Sequence, residues 1–362
     1  MFGLSFRPKN FLGIDIGSSA IRIIEMGMKG SVPKLENYGE LDMSVVKSDS
    51  SEKTGLKEEK DTILLSEKDT AVIIKAILKE ARISTKEVNF CIPDFSSFFT
   101  SFEIPTMKEE EIAEAIRYEV RPYIPLPLSE ITLDWLITEG EPGRTPLKVL
   151  VVAIPNKVID QYQEIAELSN LRLKALEPEV FALARALVPE NGDKIIAIID
   201  IGARSTICSI VDKGVIKTSH SFNIGGNELT DKLARSLNID YNKAEELKKK
   251  YGLSSAGGDE GNDDIRKVLI PLIDLVLDEI KKAFRNFYQN EGKEVEKIIL
   301  TGGLAHMPSL REYFSQELKK GIEISNPFTT ISYPAVLKDL LEKRGPSYAV
   351  AVGLVLKGLK TK

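Results

Sequence analysis

The chain has 362 residues, 43% hydrophobic and 28% charged, with a net charge of −5. That is the composition of a soluble globular protein long enough for two or more domains. The acidic balance gives no footprint for nucleic acid, and no stretch approaches the roughly 18 apolar residues of a membrane span. The only two cysteines, Cys91 and Cys208, lie in apolar strand-like runs and read as buried free thiols. His220 and His306 have no ligand spacing, which argues against a zinc site.

The opening stretch, MFGLSFRPKNF, has neither a long apolar core nor a small-residue cleavage site, so it does not read as a secretory signal. Phe2, Leu4 and Phe6 could touch a membrane surface or a partner but read rather as a loosely docked terminus, and a cytoplasmic protein is expected. Phe11 to Met26, FLGIDIGSSAIRIIEM, predicts a strand ending in Asp15, a tight turn over Gly17-Ser18-Ser19, and a second strand from Ile21 to Glu25. Gly17 allows close backbone approach, and its N–H and the hydroxyls of Ser18 and Ser19 are phosphate-oxygen donors. Asp15 offers a hard oxygen to Mg2+ or its waters. Taken alone, the stretch fits an ordinary hairpin with a polar turn equally well.

Lys34 to Met43 predicts a third strand, and Val46 to Asp61 a solvated insertion with few apolar anchors. A helix follows from Ser66 to Arg82, with Val72, Ile73, Ala76, Ile77 and Leu78 as its apolar positions and Ser66 and Asp69 resembling a capping box. Lys86 to Leu176 reads as an inserted α+β module in the order β-β-α-β-β-α. Its strands are Val88–Ile92, the aromatic Ser96–Ile104, Ile131–Thr138 and Lys148–Ile154; its helices are Met107–Val120 and Asn156–Leu168. The proline-rich stretch from Arg121 to Leu128 is expected to be extended. The aromatic strand could accept a partner's strand at an edge or simply pack in the core. Glu177-Pro178 precedes a helix from Glu179 to Leu187.

The sequence then repeats itself. Ile199 to Val211, IDIGARSTICSIV, restates the first hairpin with Asp200, Gly202, Ser205 and Thr206 behind another apolar strand. Two such hairpins suggest two like domains facing each other and gripping a nucleotide's phosphates from both sides. Neither copy is a Walker loop or a Rossmann G-x-G-x-x-G. Beyond a strand over Val215–Phe222, Gly225-Gly226-Asn227 opens a helix to Leu237, where free N–H groups favour anions. The helix Asn242–Tyr251 sets Glu245 and Lys248 one turn apart, on one face, suited to a ribose hydroxyl and an adenine edge. Ser254–Asp264 reads as a flexible loop and Ile265–Gln289 as a long helix. Val295–Leu300 is a strand that runs into Thr301-Gly302-Gly303-Leu304, whose glycines permit close approach to a base or ribose. Pro308 suits the first turn of a helix over Ser309–Leu318, and a last helix covers Pro346–Leu359.

In this order the pieces resemble the actin-like ATPase superfamily. The first hairpin resembles its phosphate-one motif and the second its phosphate-two motif. TGGLAHMPSL resembles its adenosine motif, LEPEVFALARA its connecting helix and AEELK its E-x-x-K pair. The resemblance is greatest to the PilM family of type IV pilus assembly and more distant to FtsA; it extends over nearly the whole chain through LGIDIGSSAIRIIEM, RPYIPLPLSEITLDW and PSYAVAVGLVLKG. It implies an α/β, actin-like (ribonuclease H-like) two-domain ATPase fold with an inserted α+β 1C subdomain. The implied boundaries are 1–85 for subdomain 1A, 86–176 for 1C, 177–193 for the return to 1A, 194–227 for 2A, 228–294 for 2B and 295–362 for the rest of 2A.

The resemblance also implies ATP and Mg2+ as cofactors. Nucleotide contacts are expected from Asp15, Gly17, Ser18, Ser19 and Arg22, the last standing where relatives often carry lysine. Further contacts are expected from Asp200, Gly202, Ala203, Arg204 and Ser205, from Gly225, Gly226 and Asn227, from Glu245 and Lys248, and from Gly302, Gly303 and Leu304. Asp15 and Asp200 are the implied metal side chains and, with Glu177 aligning a water, the implied catalytic ones. No arginine finger is evident, so any ATP hydrolysis is expected to be slow. The implied function is a scaffold that holds the cytoplasmic tail of an inner-membrane partner, PilN in the family, in a groove between 1A and 1C, and links it to the pilus motor or other assembly proteins. A filament-forming ATPase like FtsA is the competing expectation. A small-molecule kinase would need a catalytic base and a polar substrate cleft, and no insertion builds them.

Overall fold

The computed structural model describes residues 10–43, 65–189, 192–254 and 260–360. The insertion Val46–Asp61 and the terminal Phe2, Leu4 and Phe6 lie outside the described residues. The chain divides into two compact units, one made of Met1–Pro93, Ile159–Ala186 and Asn326–Lys362, the other of Asp94–Val158 and Leu187–Ser325.

The first unit is built on a five-stranded sheet of β1 (Phe11–Ile16), β2 (Ala20–Lys29), β3 (Val32–Asp42), β4 (Glu87–Ile92) and β8 (Arg172–Pro178), in the order β3-β2-β1-β4-β8. β1 to β3 form an antiparallel meander, and β4 and β8 add in parallel. β4 is buried at every position, as a strand covered on both faces must be. Ile24 and Met26 of β2 pack with Tyr348, Ala351, Val352 and Val355 of the C-terminal helix region. That helix, Ala349–Lys360, lies so close to β1 that a Cβ on Gly13 would collide with the carbonyl oxygen of Ala351. The helix α1 (Glu67–Glu80) starts at Ser66, whose hydroxyl accepts from the Asp69 N–H at 3.2 Å. Its buried positions are Thr70, Ala71, Ile73, Ile74, Ile77 and Leu78. Val72 and Ala76, expected on that face, point to solvent because the buried stripe is centred one position away.

The second unit repeats the topology. β9 (Ile196–Ile201), β10 (Thr206–Asp212), β11 (Val215–Phe222), β12 (Lys297–Thr301) and β13 (Ile322–Ile324) run in the order β11-β10-β9-β12-β13, again a meander with two parallel strands added. The helix Glu260–Glu291 places Leu269, Ile273, Val276, Leu277, Ile280 and Ala283 in one core with Ala197 and Ile199 of β9 and Cys208 and Ile210 of β10. It begins within the expected loop 254–264, of which 255–259 are outside the described residues. β13 and the short helix Lys338–Arg344 have no counterpart in the sequence reading. The helix after Pro308 begins only at Leu310, with Ser309 in the left-handed region at φ 61°.

The inserted module is smaller than expected. Its sheet holds three strands, β5 (Phe98–Ile104), β6 (Ile131–Glu139) and β7 (Leu147–Pro155), in the order β5-β7-β6. α2 (Glu109–Glu119) closes one face, burying Ile112 and Ile116 against Ile104, Val149 and Val151. Val88–Ile92, read as the module's first strand, is instead β4 of the large sheet, and α3 (Asn156–Leu168) packs Tyr162 against Phe90 of that strand. Local order cannot distinguish these pairings, because parallel partners are remote in sequence. The proline-rich stretch is not fully extended: Arg121–Tyr123 and Leu128–Glu130 each form a 3-10 turn. Within the second unit the module meets β11, where Ser219 donates to Asp94 at 3.0 Å and Lys217 pairs with Glu139.

Candidate functional site

The two hairpin turns are built alike. The Gly17 N–H donates to the Ala20 carbonyl at 3.1 Å, and the Gly202 N–H donates to the Ser205 carbonyl at 3.0 Å. A Cβ on either glycine would press on that same oxygen, at 3.0 Å for Gly17 and 3.1 Å for Gly202. The Gly17 N–H, expected to meet a phosphate, is therefore used to close the turn. The aspartates occupy matching places as well: Asp15 faces Arg22 across β1–β2, and Asp200 faces Ile207 across β9–β10 and Thr301 across β9–β12.

In the first unit, Asp15 is buried and accepts from the Cys91 thiol at 3.4 Å. Burial raises its pKa, and the Arg22 guanidinium, 3.9 Å away, opposes the shift. Arg22 also pairs with Glu40 at 3.1 Å. Ser18 and Ser19 sit half-buried at the turn, and the Ser19 carbonyl accepts from the Met43 N–H at 2.8 Å. The oxygens of Asp15 suit Mg2+, which takes hard ligands and keeps several waters. A cation there would also stabilise the ionised carboxylate against its burial.

Glu177 is placed differently from its expected role. It ends β8, buried, with Arg185 at 2.7 Å on one carboxylate oxygen and Lys357 at 2.8 Å on the other. Both oxygens serve a structural ion cluster. The acidic group that accompanies Asp15 is Glu179, at the first turn of α4 (Glu179–Leu187), with Cys91 as the third member. Sequence reasoning missed it because the motif places its weight on the residue before the proline. The presence of a second glutamate two residues on, at a strand-to-helix boundary, was the available signal.

In the second unit the expected residues converge. Gly302 adopts φ +88°, the left-handed region that favours glycine, and a side chain there would collide with the Asp200 carboxylate and the Ile201 carbonyl. Gly303 opens into free space among the described residues. A Cβ on Gly226 would meet Leu304 Cδ1 at 2.6 Å and Lys248 Nζ at 3.4 Å, so the Gly-Gly, T-G-G-L and E-x-x-K pieces lie in one cluster.

Several of these groups bind the protein itself. The N–H groups of Gly226 and Asn227, at the start of α5 (Gly226–Leu237), donate to the carbonyls of Gly202 and Ala203 at 2.9 and 2.8 Å. The helix start therefore braces the hairpin turn, and these two amides are not offered to an anion. Lys248, on α6 (Tyr241–Tyr251), is buried and donates to the Gly226 carbonyl at 2.8 Å and Thr230 at 2.6 Å, beside Glu245 at 2.6 Å. Burial lowers the Lys248 pKa against the pull of Glu245. Arg204 stacks over the Phe95 ring at 4.5 Å, and Asn227 accepts from Tyr241 at 3.1 Å.

A family model described as type IV pilus assembly protein PilM matches residues 13–359. Among solved structures, the chain is similar to the PilM-PilN type IV pilus biogenesis complex, with TM-score 0.81 and 25% identity over 96% of this chain and 98% of that one. MreB5 of Spiroplasma citri bound to ADP is similar in fold, with TM-score 0.58 and 15% identity over 97% of this chain and 96% of that one. Cell division protein FtsA of Agrobacterium fabrum is 26% identical over 254 residues, 60% of this chain and 55% of that protein. FtsA of Pseudomonas aeruginosa is 24% identical over 260 residues, 64% and 61% of the two chains. The chain spans about half the length of the first of these curated relatives. The doubled five-stranded sheet is thus the actin-like, ribonuclease H-like fold. With a family match that runs from the first hairpin into the last helix, the chain belongs to the PilM family of type IV pilus assembly proteins.

Proposed function

We propose that the chain is an ATP-binding cytoplasmic scaffold of type IV pilus assembly that holds the cytoplasmic tail of a PilN-like inner-membrane protein and is recruited to the membrane through it. The observation that carries the reading is the duplicated hairpin turn, set in two sheets of one topology, within a PilM family match. Within the first unit the Asp15 turn is the proposed place for Mg2+ and phosphate, and within the second the Asp200, Gly226 and Gly302–Leu304 cluster is the proposed place for nucleotide. Of the phosphate donors expected at the first turn, the hydroxyls of Ser18 and Ser19 remain, since the Gly17 N–H closes the turn. Among the described residues no helix is long and apolar enough to cross a membrane, in keeping with recruitment by a partner.

The test is thermal unfolding with and without Mg-ATP. Ligand at about 100 times its dissociation constant adds roughly 2.7 kcal/mol. A melt indifferent to millimolar Mg-ATP would remove the nucleotide reading. Asp15→Ala should abolish the shift while leaving the protein folded. The FtsA relatives favour a second reading, a nucleotide-dependent filament. Sedimentation with and without ATP separates the two.

A further inference from the structure

β3 is a terminal strand of the first sheet, and its outer edge is only partly used. Ser332 runs parallel to Lys34 there: its carbonyl accepts from the Leu35 N–H at 2.9 Å, and its N–H donates to the Pro33 carbonyl at 2.8 Å. The chain then turns away at Pro334, which leads into the 3-10 turn Ala335–Leu337. Over residues 36–41 the edge makes no further backbone bond on that side among the described residues. This open stretch is the floor of a groove of about 680 Å3. One wall is α1, through Ala76 and Glu80; the other is the 3-10 turn, through Pro334 and Leu337. A Cβ on Gly39 would strike Ile77, so α1 lies hard against the strand. An unpaired strand edge between two walls is a template for an added strand.

The charge of the groove has one sign. Glu36, Glu40 and Glu80 line it, and no lysine or arginine does. Glu36 is paired with Lys34, and Glu40 with Arg22 and Arg344. Glu80 is exposed and makes no ion pair among the described residues. It is also the last residue of α1, where the helix dipole disfavours a carboxylate, so nothing in the helix itself stabilises that charge.

We propose that the 36–41 edge of β3 takes up an extended, basic peptide segment of a partner protein, which continues the pairing that Ser332 begins. Successive side chains of an added strand point to opposite faces of the sheet, and here each face has its own wall. Apolar side chains at every second position meet Pro334 and Leu337. A lysine or arginine on the alternate face reaches Glu80 and supplies the missing countercharge. The same charge disfavours a second copy of this chain as the occupant, because two such edges paired would set the groove carboxylates of both copies against each other. The edge uses neither hairpin turn nor the inserted module, so the proposal stands apart from the nucleotide and PilN-like readings.

The test titrates a fluorescein-labelled peptide, Thr-Val-Lys-Val-Thr-Val-Lys-Val, into the full chain and reads anisotropy. Its counterpart carries glutamate in place of both lysines. Saturable binding of the lysine peptide is expected, with the glutamate counterpart and Glu80→Lys each weaker by about tenfold, since like charges in a contact reject a partner. Should Glu80→Lys not fold, Glu80→Gln, a smaller change at the same exposed site, should show a loss of about threefold. Hydrogen exchange read by mass spectrometry should slow over residues 36–42 when the lysine peptide binds, and should not change over β8, the other terminal strand of that sheet. The proposal is overturned if the lysine peptide does not bind at millimolar concentration, if the glutamate counterpart binds as tightly, if both Glu80 variants bind like wild type, or if the slowed exchange lies outside 36–42. Exchange at 36–42 that slows with the concentration of the chain alone assigns the edge to a second copy and also overturns it.

Discussion

Lys248 Nζ lies 2.8 Å from the Gly226 carbonyl oxygen and 2.6 Å from a Glu245 carboxylate oxygen, so the ammonium ties α6 to the start of α5. The same first turn of α5 holds the Gly202–Ala203 turn through two amides. Lys248 thus supports the second hairpin at one remove. Lys248→Met should remove the ammonium shared by Gly226, Thr230 and Glu245, leaving the Gly226 carbonyl with the Thr230 hydroxyl and Glu245 with Thr230 and Lys249, and destabilise the protein by about 2 kcal/mol. Chemical denaturation reads the loss. An unchanged midpoint would mean that the buried contacts are energetically idle.

Gly302 and Gly303 are adjacent and should respond in opposite ways. At Gly302 the backbone sits at φ +88° and a side chain would strike Asp200. Gly302→Ala is therefore expected to destabilise by at least the roughly 1–2 kcal/mol of left-handed strain. At Gly303 a Cβ meets nothing within 4 Å among the described residues, so Gly303→Val should fold normally. If the base lies there, its Mg-ATP thermal shift disappears. A full shift in the folded variant would place the base elsewhere.

Glu177 and Glu179 should separate structure from chemistry. Glu177→Gln weakens the cluster with Arg185 and Lys357, so it should lower thermal stability and leave ATP turnover per folded molecule nearly unchanged. Glu179→Gln should leave the melt near wild type and remove most of any turnover. Single-turnover hydrolysis on both variants decides it, and loss of turnover only in the Glu177 variant would return the water to Glu177.

These cases show what was legible in the sequence. The hairpins were readable because strand, turn and strand are contiguous, and the single contact that closes each turn spans four residues. The convergence of Gly226, Lys248 and Leu304 was readable only through motif order, since nothing local links them. Sequence order could not show that Lys248 is already satisfied by Gly226 and Thr230, because that depends on how α5 and α6 pack. β4 and β8 were assigned to the wrong sheet or missed for the same reason: Cys91 and Glu177 are paired neighbours across 86 residues of chain. The ion pairs of Glu177 were hidden in the same way, because β8 runs through Pro178 and aims Glu177 at Arg185 before α4 begins.

Burial alone pushes the Cys208 thiol up to about 12. At pH 8 only about one molecule in ten thousand would then carry the thiolate. Cys208 should react with a disulfide reagent at the rate of unfolding, and raising the pH from 7 to 9 should not speed it beyond the change in unfolding rate. Fast labelling in native buffer would show that β10 opens locally.

The inserted module offers the last test, of partner docking. Its aromatic strand β5, expected either to accept a partner's strand or to pack in the core, lies beside β11 in the second unit. The other terminal strand of the module sheet is β6, which carries Trp135 and Leu136, both exposed. An added peptide strand gains backbone hydrogen bonds along such an edge and specificity from alternate side chains. Trp135 is the only tryptophan of the chain, so its fluorescence reports that edge without a label. Titrating the cytoplasmic peptide of a PilN-like protein should shift the Trp135 emission with micromolar affinity, about −8 kcal/mol. Trp135→Ala should cost about 2 kcal/mol, the scale of an aromatic anchor. Deleting 86–176 would be a poor control, because it removes β4, α3 and most of β8 from the first sheet. Replacing only Phe95–Pro155 by a short linker spares those elements. A peptide that binds as tightly to this shortened protein, or that leaves Trp135 emission unchanged while calorimetry shows binding, does not dock on β6.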